Sequence, residues 1–304
     1  MKKVIVTTTI HSPTEAIEKF DAIKDWTLIV VGDLKTPKDY KLRNGIYVSP
    51  SDQEKYNKEL SDLIGWNCIQ RRNFGFLLAK DLNADIIASV DDDNIAYDDW
   101  GKNLLLGVDT EVDYYFTDSD CFDPIGVTNY PWLWYRGYPI QLVSKRDYPK
   151  PSHKKIRADI QADFWDGDPD IDALCRVMRR PICHFETSFF PFATNKLSPF
   201  DSQNTFITKE VLPYYFVLPH VGRVDDIWAS YHVQALGYKV VYSKPSVYQK
   251  RNRQSIVKNL GGELLGYRKS RSLIKAINSN RYKVEDFWPE RTRKAYKAYR
   301  DCFA

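Results

Sequence analysis

The sequence has few cysteines and no long apolar run. Its five cysteines, at positions 68, 121, 175, 183 and 302, form no CxxC pair. This argues against a disulfide framework or a zinc site and favours a reducing, cytoplasmic setting. No apolar stretch approaches the roughly 20 residues that cross a bilayer, so we expect no transmembrane helix. The opening MKKVIVTTTI is interrupted by three threonines, and we expect no signal peptide.

Histidine is also scarce, and neither glycine nor proline is abundant. The five histidines form no HxH or HExxH pair, so we expect them to be structural. With 43% hydrophobic and 28% charged residues, 14 Gly and 16 Pro in 304 residues, disorder, collagen and coiled coil are excluded. The length suits one large α/β domain or two ordinary domains.

Charge is distributed unevenly along the chain. Residues 251–304 contain 14 Lys and Arg but 5 Asp and Glu, whereas residues 1–250 contain 30 and 35. We expect the basic region to meet an anionic partner, such as the inner face of a membrane in a peripheral contact. An apolar stripe on its last predicted helix could lie in that interface or pack back on the domain. The stripe is Tyr296, Tyr299 and Phe303, flanked by Lys294, Lys297 and Arg300.

Strand and helix patterns alternate in the first 95 residues. Apolar, β-branched runs predict strands at 3–9, 26–31 and 85–90, and helices are predicted at 13–24 (with Ser12 as cap), 57–65 and 67–82. Residues 110–200 are less regular, with one predicted helix at 168–179. Later elements are a strand at 205–207, a helix at 225–236, a strand at 239–242 and a mostly helical region after 255. This alternation predicts an α/β fold with a mostly parallel sheet flanked by helices, and ligands at the carboxyl ends of the strands.

The sharpest motif is the run DDDN at 91–94, directly after a buried strand. Asp91 and Asp93, one residue apart, are suited to a divalent cation that shares a diphosphate with the protein. The alternative is an acidic turn in which one aspartate caps a helix starting near Asp98. Three successive aspartates repel one another, and a turn needs only one, so the sequence favours the metal site.

Four further motifs are candidates for ligand contacts. Cations in QRRN at 70–73 could hold a phosphate, and the mobile-looking KRNR at 250–253 could close on a diphosphate. Gly32-Asp33 ends a strand, where Asp could take a ribose hydroxyl or a base N–H, or simply form a turn. Hydroxyls of Thr7, Thr8 and Thr9 end the first strand.

Two acidic motifs lie in the second half of the chain. DGDPDID at 166–172 holds Asp166, Asp168 and Asp170 among its four carboxylates, and could bind a cation, sugar hydroxyls or an amine, or could cap a helix. GRVDDIW at 222–228 opens a helix with Asp225 and Asp226. One of the pair could cap the helix, and the other would be free to act as a general base.

Taken together and in this order, the motifs resemble those of GT-A glycosyltransferases. More narrowly, the chain resembles the STELLO-type family of plant Golgi proteins and bacterial polysaccharide loci, in TTTIHSPTEAIEKF, IVVGDLKTP, IQRRNFGFLLA, ADIIASVDDDN, DGDPDID, PFDSQN and GRVDDIW. These stretches cover residues 7–228, and residues 251–304 lie outside them. No obvious downstream histidine supplies the third metal ligand of the broad GT-A pattern.

The resemblance implies a role for each motif. Asp91 and Asp93 would hold Mn²⁺ or Mg²⁺, and Asp225 or Asp226 would be the catalytic base. Nucleotide-sugar contacts would come from Thr7, Thr8, Thr9, Gly32, Asp33, Arg71, Arg72, Asn73, Asp91, Asp92, Lys250 and Arg251. Acceptor or sugar contacts would come from Asp166, Asp168, Asp170, Gln203, Asn204 and Arg223.

The expected function is metal-dependent transfer of a sugar, in surface polysaccharide synthesis, from a nucleotide diphosphate sugar to a carbohydrate or lipid-linked acceptor. UDP-sugar is the favoured donor, and no nucleic acid partner is expected. Residues 1–109 would form a nucleotide-binding half and 110–250 an acceptor half, followed by a basic helical region at 251–304. Alternatives are a nucleotide-sugar mutase or self-glycosylating protein and, from another class, a non-catalytic scaffold that binds nucleotide sugars.

Overall fold

The fold is organised around one large mixed β-sheet. The computed structural model describes residues 1–252 and 254–304, and in this part of the chain eleven strands form one sheet. The strands are β1 Lys3–Thr9, β2 Thr27–Gly32, β3 Ile46–Val48, β4 Ile86–Val90, β5 Asn94–Ala96, β6 Asp109–Tyr115, β7 Ser152–Arg157, β8 Ile160–Gly167, β9 Phe192–Thr194, β10 Asn204–Thr208 and β11 Val240–Gln249. Their spatial order is β3-β2-β1-β4-β10-β8-β11-β9-β6-β7, and β5 pairs with β11.

Helices cover this sheet, so the predicted α/β class is confirmed. They are α1 Glu15–Asp21, α2 Pro50–Tyr56, α3 Lys58–Ile64, α4 Arg72–Asp81, α5 Ala173–Met178, α6 Asp225–Ala235, α7 Ile256–Asn278 and α8 Glu290–Asp301. Short 3₁₀ turns lead into α4 at Ile69–Arg71 and into α6 at Gly222–Val224. Strands β3, β2, β1 and β4 are parallel to one another, which gives the architecture expected of a GT-A-like fold.

Two predicted helices begin later than the sequence suggested. Helix α1 begins at Glu15, and its cap is Thr14 instead of Ser12: the Thr14 hydroxyl accepts the N–H of Ile17 at 3.2 Å. The helix expected at 168–179 begins at Ala173, after the capping residue Asp172. Pro169 therefore precedes the helix. Before the helix, Asp170 pairs with Arg136 and Asp168 pairs with Arg251, so this part of the run is engaged by arginines from other segments.

The irregular middle of the chain forms regular structure through distant contacts. Strands β6 to β9 all lie between residues 109 and 194, although their local sequence is rich in aromatics and gives little periodicity. Their aromatic side chains pack together: Phe192 stacks on Tyr242 of β11 at 5.0 Å and lies 6.1 Å from Phe164 of β8. This cluster is part of the main hydrophobic core.

The basic C-terminal region packs back on the domain. Tyr299 is fully buried and its hydroxyl donates to the Leu212 carbonyl oxygen at 2.9 Å. The ring of Tyr296 packs edge-on against His232 of α6, and Phe303 packs on Tyr299. The apolar stripe is thus engaged within the protein and is not free to enter a membrane. No helix in the described ranges is long and apolar enough to cross a bilayer.

Candidate active site

Three parallel strands end side by side at one edge of the sheet. Thr9 at the end of β1 pairs with Gly32 at the end of β2, and β4 lies on the other side of β1. The Thr36 hydroxyl donates to the Thr9 carbonyl oxygen at 2.6 Å and ties the loop after β2 to β1. Because parallel strands present their carboxyl ends together, this is the edge where α/β folds bind ligands.

A cleft of about 300 Å³ opens at this edge, and we call it the strand-end cleft. Asp33 shapes one wall, because its carboxylate accepts the backbone N–H groups of Asn67 at 2.8 Å and of Cys68 at 2.9 Å. The predicted residues that line this cleft are Thr8, Thr9, Asp33, Arg71, Arg72, Asp91, Asp92 and Asp93.

The three aspartates after β4 have different partners. Asp92 accepts the Thr9 hydroxyl at 2.5 Å, which fixes it to the end of β1. Asp91 Oδ1 accepts a hydrogen bond from Arg72 Nη2 at 2.5 Å. Asp93 Oδ1 is buried and has no hydrogen-bond partner within the described residues. No helix begins near Asp98, and β5 follows the acidic motif directly. Capping of a helix therefore does not account for the motif.

Asp91 and Asp93 are suited to hold a cation. Burial, reinforced by the charges of Asp91 and Asp92, raises the pKa of Asp93 to about 7, and a bound cation would relieve this repulsion. Among the residues described, no group of three or more His, Cys, Asp or Glu side chains surrounds one point. The protein would therefore supply two carboxylates, and phosphate and water oxygens would complete the shell, as is usual for Mg²⁺. The residues present fit such an ion.

Arg72 is a fixed cation beneath the acidic turn. It is 1% exposed, and its Nη1 donates to the Ser89 hydroxyl at 3.1 Å and to the Ser202 carbonyl oxygen at 2.6 Å. These bonds orient the guanidinium so that its Nη2 reaches Asp91. Arg72 therefore joins α4, β4 and the segment before β10 at the edge of the strand-end cleft.

A second cleft, of about 370 Å³, adjoins the first and is here named the central cleft. Both clefts share Asp91 and Asp93, and the central cleft also contains Asp225. Gln70 Nε2 donates to Asp225 Oδ2 at 2.6 Å. Burial, followed by the charge of Asp226, raises the pKa of Asp225 to about 7. Asp225 is thus a carboxylate poised to exchange a proton near neutral pH, which a general base requires.

Asp226 has a different environment from its neighbour. Arg136 donates from Nη1 and Nη2 to its two oxygens at 2.8 and 2.9 Å, and the Ser202 N–H donates at 3.0 Å. Burial alone would raise the pKa of Asp226, but the guanidinium of Arg136 holds it below the ordinary value. A carboxylate paired in this way is a weak base, so the structure favours Asp225 within the predicted pair.

Comparison with known proteins agrees with the motifs. Two curated proteins of Arabidopsis thaliana are similar to the chain: probable glycosyltransferase STELLO2, 28% identical over 204 residues, and probable glycosyltransferase STELLO1, 26% identical over 192 residues. The predicted resemblance to STELLO-type glycosyltransferases is confirmed. The aligned parts cover 63% and 59% of the chain but 26% and 25% of the relatives, so the match spans about a quarter of their length. No family model matches the chain.

Several residues assigned from the STELLO-type motifs are structural and lie away from both clefts. Thr7 is fully buried in β1, and Asn73 exchanges two hydrogen bonds with the backbone of Val217. The Gly32 carbonyl oxygen accepts the Gln53 side chain at 2.8 Å, and Asn204 accepts the Trp100 indole N–H at 3.0 Å. These side chains support the edge of the sheet without lining either cleft.

The arginine motif and the basic segment are only partly at the site. Arg71 lines the strand-end cleft, but its guanidinium stacks on Trp66 at 3.6 Å, and burial lowers its pKa to about 10. The Lys250 side chain is exposed, while its backbone N–H donates to the Asp93 carbonyl oxygen at 3.0 Å. Arg251 lines the central cleft, and Arg253, the last residue of the predicted segment, lies outside the described residues.

The acidic run at 166–172 separates into individual contacts. Asp166 accepts the Tyr97 hydroxyl at 2.9 Å and is remote from both clefts. Asp168 pairs with Arg176 at 2.6 Å and with Arg251 at 3.1 Å. Asp170 lines the central cleft. Its two carboxylate oxygens each accept a hydrogen bond from Arg136 Nε at 2.9 Å. The predicted Gln203 and Arg223 also line that cleft.

Sequence reasoning missed two important residues. Gln70 belonged to the arginine motif but received no role, although its side chain bonds to Asp225. Arg136 was not selected at all, yet it is buried and binds both Asp170 and Asp226. The available signal was a single arginine within an aromatic, otherwise uncharged stretch, WLWYRGYP at 132–139. Such a residue is rarely buried without acidic partners.

Proposed function

We propose that the protein is a metal-assisted glycosyltransferase that uses a nucleotide diphosphate sugar. The observation that carries the proposal is that Asp91, Asp93 and Asp225 line one cleft. A pair of carboxylates suited to a cation and a separate carboxylate suited to proton transfer are the two groups that this reaction needs. The similarity to two proteins named as probable glycosyltransferases supports sugar transfer.

The strand-end cleft would take the nucleotide. Its lining combines threonine hydroxyls, Asp33 and the N–H-rich turn at 67–69 with Arg72 and the acidic motif. Hydroxyl and carboxylate groups suit a ribose and a base, whereas Arg72 suits phosphate oxygens. UDP is the first nucleotide to test, on the grounds of the resemblance.

The reaction itself would take place at the border of the two clefts. Asp91 and Asp93 would hold the metal ion, whose positive charge would offset the charge of the leaving diphosphate. Asp225 would accept the proton of the acceptor hydroxyl while that oxygen forms a bond to the anomeric carbon of the sugar. The bond from the anomeric carbon to the diphosphate oxygen breaks, and its electron pair leaves with the nucleoside diphosphate.

The acceptor would enter through the central cleft. Besides Asp225, this cleft is lined by amide and guanidinium groups, among them those of Gln203, Arg223, Gln249 and Gln254. Such groups form hydrogen bonds with hydroxyl-rich molecules, which agrees with a carbohydrate or a glycan-bearing lipid as acceptor.

A thermal-shift panel of nucleotides and nucleotide sugars, with and without Mn²⁺, tests the proposal. A donor should raise the melting temperature only when the metal is present, because ligands that bind the native state stabilise it. Asp93→Asn should remove the shift, and Asp225→Asn should retain it. If no nucleotide or nucleotide sugar shifts wild-type protein with Mn²⁺, the proposal is wrong.

A further inference from the structure

A third cleft, of about 320 Å³, opens beside the central cleft, and three of its four charged lining residues are arginines. We call it the arginine cleft. Arg176, Arg180 and Arg251 line it together with a single carboxylate, Asp168. Arg251 and Gln254 also line the central cleft, so the two clefts are adjacent. A ligand that reacts at Asp225 could therefore extend into the arginine cleft.

Guanidinium groups outnumber carboxylates around this cleft. Asp168 lies 2.6 Å from Arg176 and 3.1 Å from Arg251 Nε, so one carboxylate serves two guanidinium groups, and the charge of Arg180 is additional. The Arg251 side chain is 8% exposed, and its Nη2 also lies 3.5 Å from Asp170, a carboxylate that Arg136 already binds. Nε of Arg176 makes no hydrogen bond within the part of the chain that the structure describes. Guanidinium groups in this number are suited to a phosphate.

Exposed apolar side chains lie on the segments that line the arginine cleft. Helix α5 turns Val177 and Met178 outward, with exposures of 59% and 71%, and Ile182 follows with 59%. Helix α7 packs against α5 and adds Val257, which is 73% exposed. Large apolar residues grouped in this way on a protein surface mark a contact site. The neighbouring Arg179, Arg180 and Lys258 are exposed as well.

We propose that this surface receives the acceptor, and that the acceptor is a glycan-bearing lipid phosphate in a membrane, whose sugar hydroxyl would reach Asp225. The phosphate would bind in the arginine cleft, and the apolar residues would enter the lipid interface around it. Charge complementarity selects this occupant: apolar residues edged by arginine and lysine fit an anionic lipid surface. The inference rests on the proposed function, which places the reacting end of the acceptor at Asp225. Lipid binding by the surface can nevertheless be tested without any transfer reaction.

This surface differs from the one that composition suggested. The basic C-terminal helix α8 presents Lys294 and Lys297 to solvent, but its apolar residues pack into the domain. At α5 and Ile182, by contrast, apolar and basic side chains are exposed together. The two surfaces can therefore be compared directly in one experiment.

Vesicle flotation tests the proposal. The vesicles are phosphatidylcholine with 20 mol% phosphatidic acid, roughly the anionic content that gives a useful surface potential. Full-length protein should float with these vesicles and not with pure phosphatidylcholine. Arg180→Gln should lower the bound fraction about fivefold at low salt, and adding Met178→Ser should lower it further. Both residues are exposed, so neither change should prevent folding. Matched controls are Lys297→Gln on α8 and Val108→Ser, a half-exposed apolar residue on another surface.

Each remaining outcome contradicts the lipid proposal. Wild-type protein that fails to float, or a double variant that floats as well as the controls, would show that this surface does not bind lipid phosphate. Calorimetric binding of glycerol phosphate without flotation would identify a free-phosphate site instead. Calorimetry with a panel of nucleotide diphosphates separates the two proposals: if wild-type protein binds none of them with Mn²⁺, the proposed function is contradicted, whatever the flotation result.

Discussion

Gln70 donates a hydrogen bond of 2.6 Å to Asp225, which connects the turn before α4 to the first residue of α6. The two residues are 155 positions apart in sequence, and both line the central cleft. The amide orients the carboxylate and favours its charged form, while burial opposes that charge. The contact links the half of the chain that carries the acidic motif to the half that carries the candidate base.

Asparagine substitutions should separate the two aspartates at 225 and 226. Asp225→Asn should reduce transfer by roughly 10²–10⁴-fold, because the acceptor proton loses its base, while UDP affinity stays within about twofold. Asp226→Asn should lower the free energy of unfolding by about 3 kcal/mol, because it leaves Arg136 only partly compensated in a buried position. Turnover assays and urea unfolding measure the two effects. Full turnover by Asp225→Asn would exclude it as the base.

The pH dependence of transfer should report the ionisation of Asp225. Its pKa of about 7 in the folded protein means that activity should rise as pH increases through 7, since the base must be unprotonated. Gln70→Met should move this rise to higher pH, because the carboxylate loses a hydrogen bond that favours its charged form. The pH profile of kcat/KM measures the shift. An unchanged profile in Gln70→Met would contradict the role of this contact.

The same pKa predicts an effect on stability. The folded pKa of Asp225 lies above the ordinary value of 3.8, so the folded state binds more protons and loses stability as pH rises from about 4 to about 7. Asp225→Asn removes this loss and should be more stable than wild type at pH 8 but not at pH 4. Urea unfolding at both pH values checks the prediction. An equal stability difference at the two values would contradict it.

Protonation of His232 should destabilise the packing of the C-terminal region on the domain at low pH. Its ring contacts the hydroxyls of Tyr282 and Tyr296 at 3.2 and 3.0 Å, and burial, with Arg300 nearby, lowers its pKa to about 4. His232 therefore binds a proton less readily in the folded state than in the unfolded state. The free energy of unfolding should fall by roughly 3 kcal/mol as pH drops from 6.5 towards 4.

The test compares two histidine variants by urea unfolding at pH 7 and pH 4.5. His232→Gln should flatten the dependence of the unfolding free energy on pH, and His153→Gln, whose side chain is 85% exposed, should leave it as in wild type. An unchanged slope in His232→Gln would show that another group is responsible.

Incubation with a UDP-sugar alone distinguishes transfer from the alternatives. A transferase should leave the ring form of the sugar unchanged and release UDP only slowly, because water is then the sole acceptor. Chromatography of the products over time measures this. Conversion between ring forms would indicate a mutase, and a covalent mass increase of the protein would indicate self-glycosylation.

Local patterns were sufficient to predict the sheet edge at which the strand-end cleft opens. Strands β1 and β4 are apolar runs that end in polar residues, and the helical patterns of α1 and α4 lie between them in sequence, so their ends could be placed together. The cap of α1 was the exception: Ser12 was predicted, whereas Thr14 caps the helix, and its hydroxyl also donates to the Asp92 carbonyl oxygen at 2.5 Å.

The central cleft could not be predicted to the same extent, because its structure depends on ion pairs between residues that are far apart in sequence. Arg136 binds Asp170 and Asp226, which lie 34 and 90 residues away. No local spacing encodes such a pairing. Once the pair forms, the charge of Asp226 is balanced by Arg136, whereas Asp225 is bonded to the neutral amide of Gln70. The distinction between the two adjacent aspartates therefore arises only in the folded chain.

Nucleotide diphosphate binding should depend on a divalent cation held by Asp91 and Asp93, and calorimetry of UDP binding measures that dependence. Wild-type protein should bind UDP with Mn²⁺ and lose at least about tenfold in affinity, or about 1.4 kcal/mol, when EDTA replaces the metal. Asp93→Asn should bind weakly under both conditions, and Asp166→Asn, which alters an acidic residue outside both clefts, should behave as wild type. UDP affinity that is equal with Mn²⁺ and with EDTA would contradict the account.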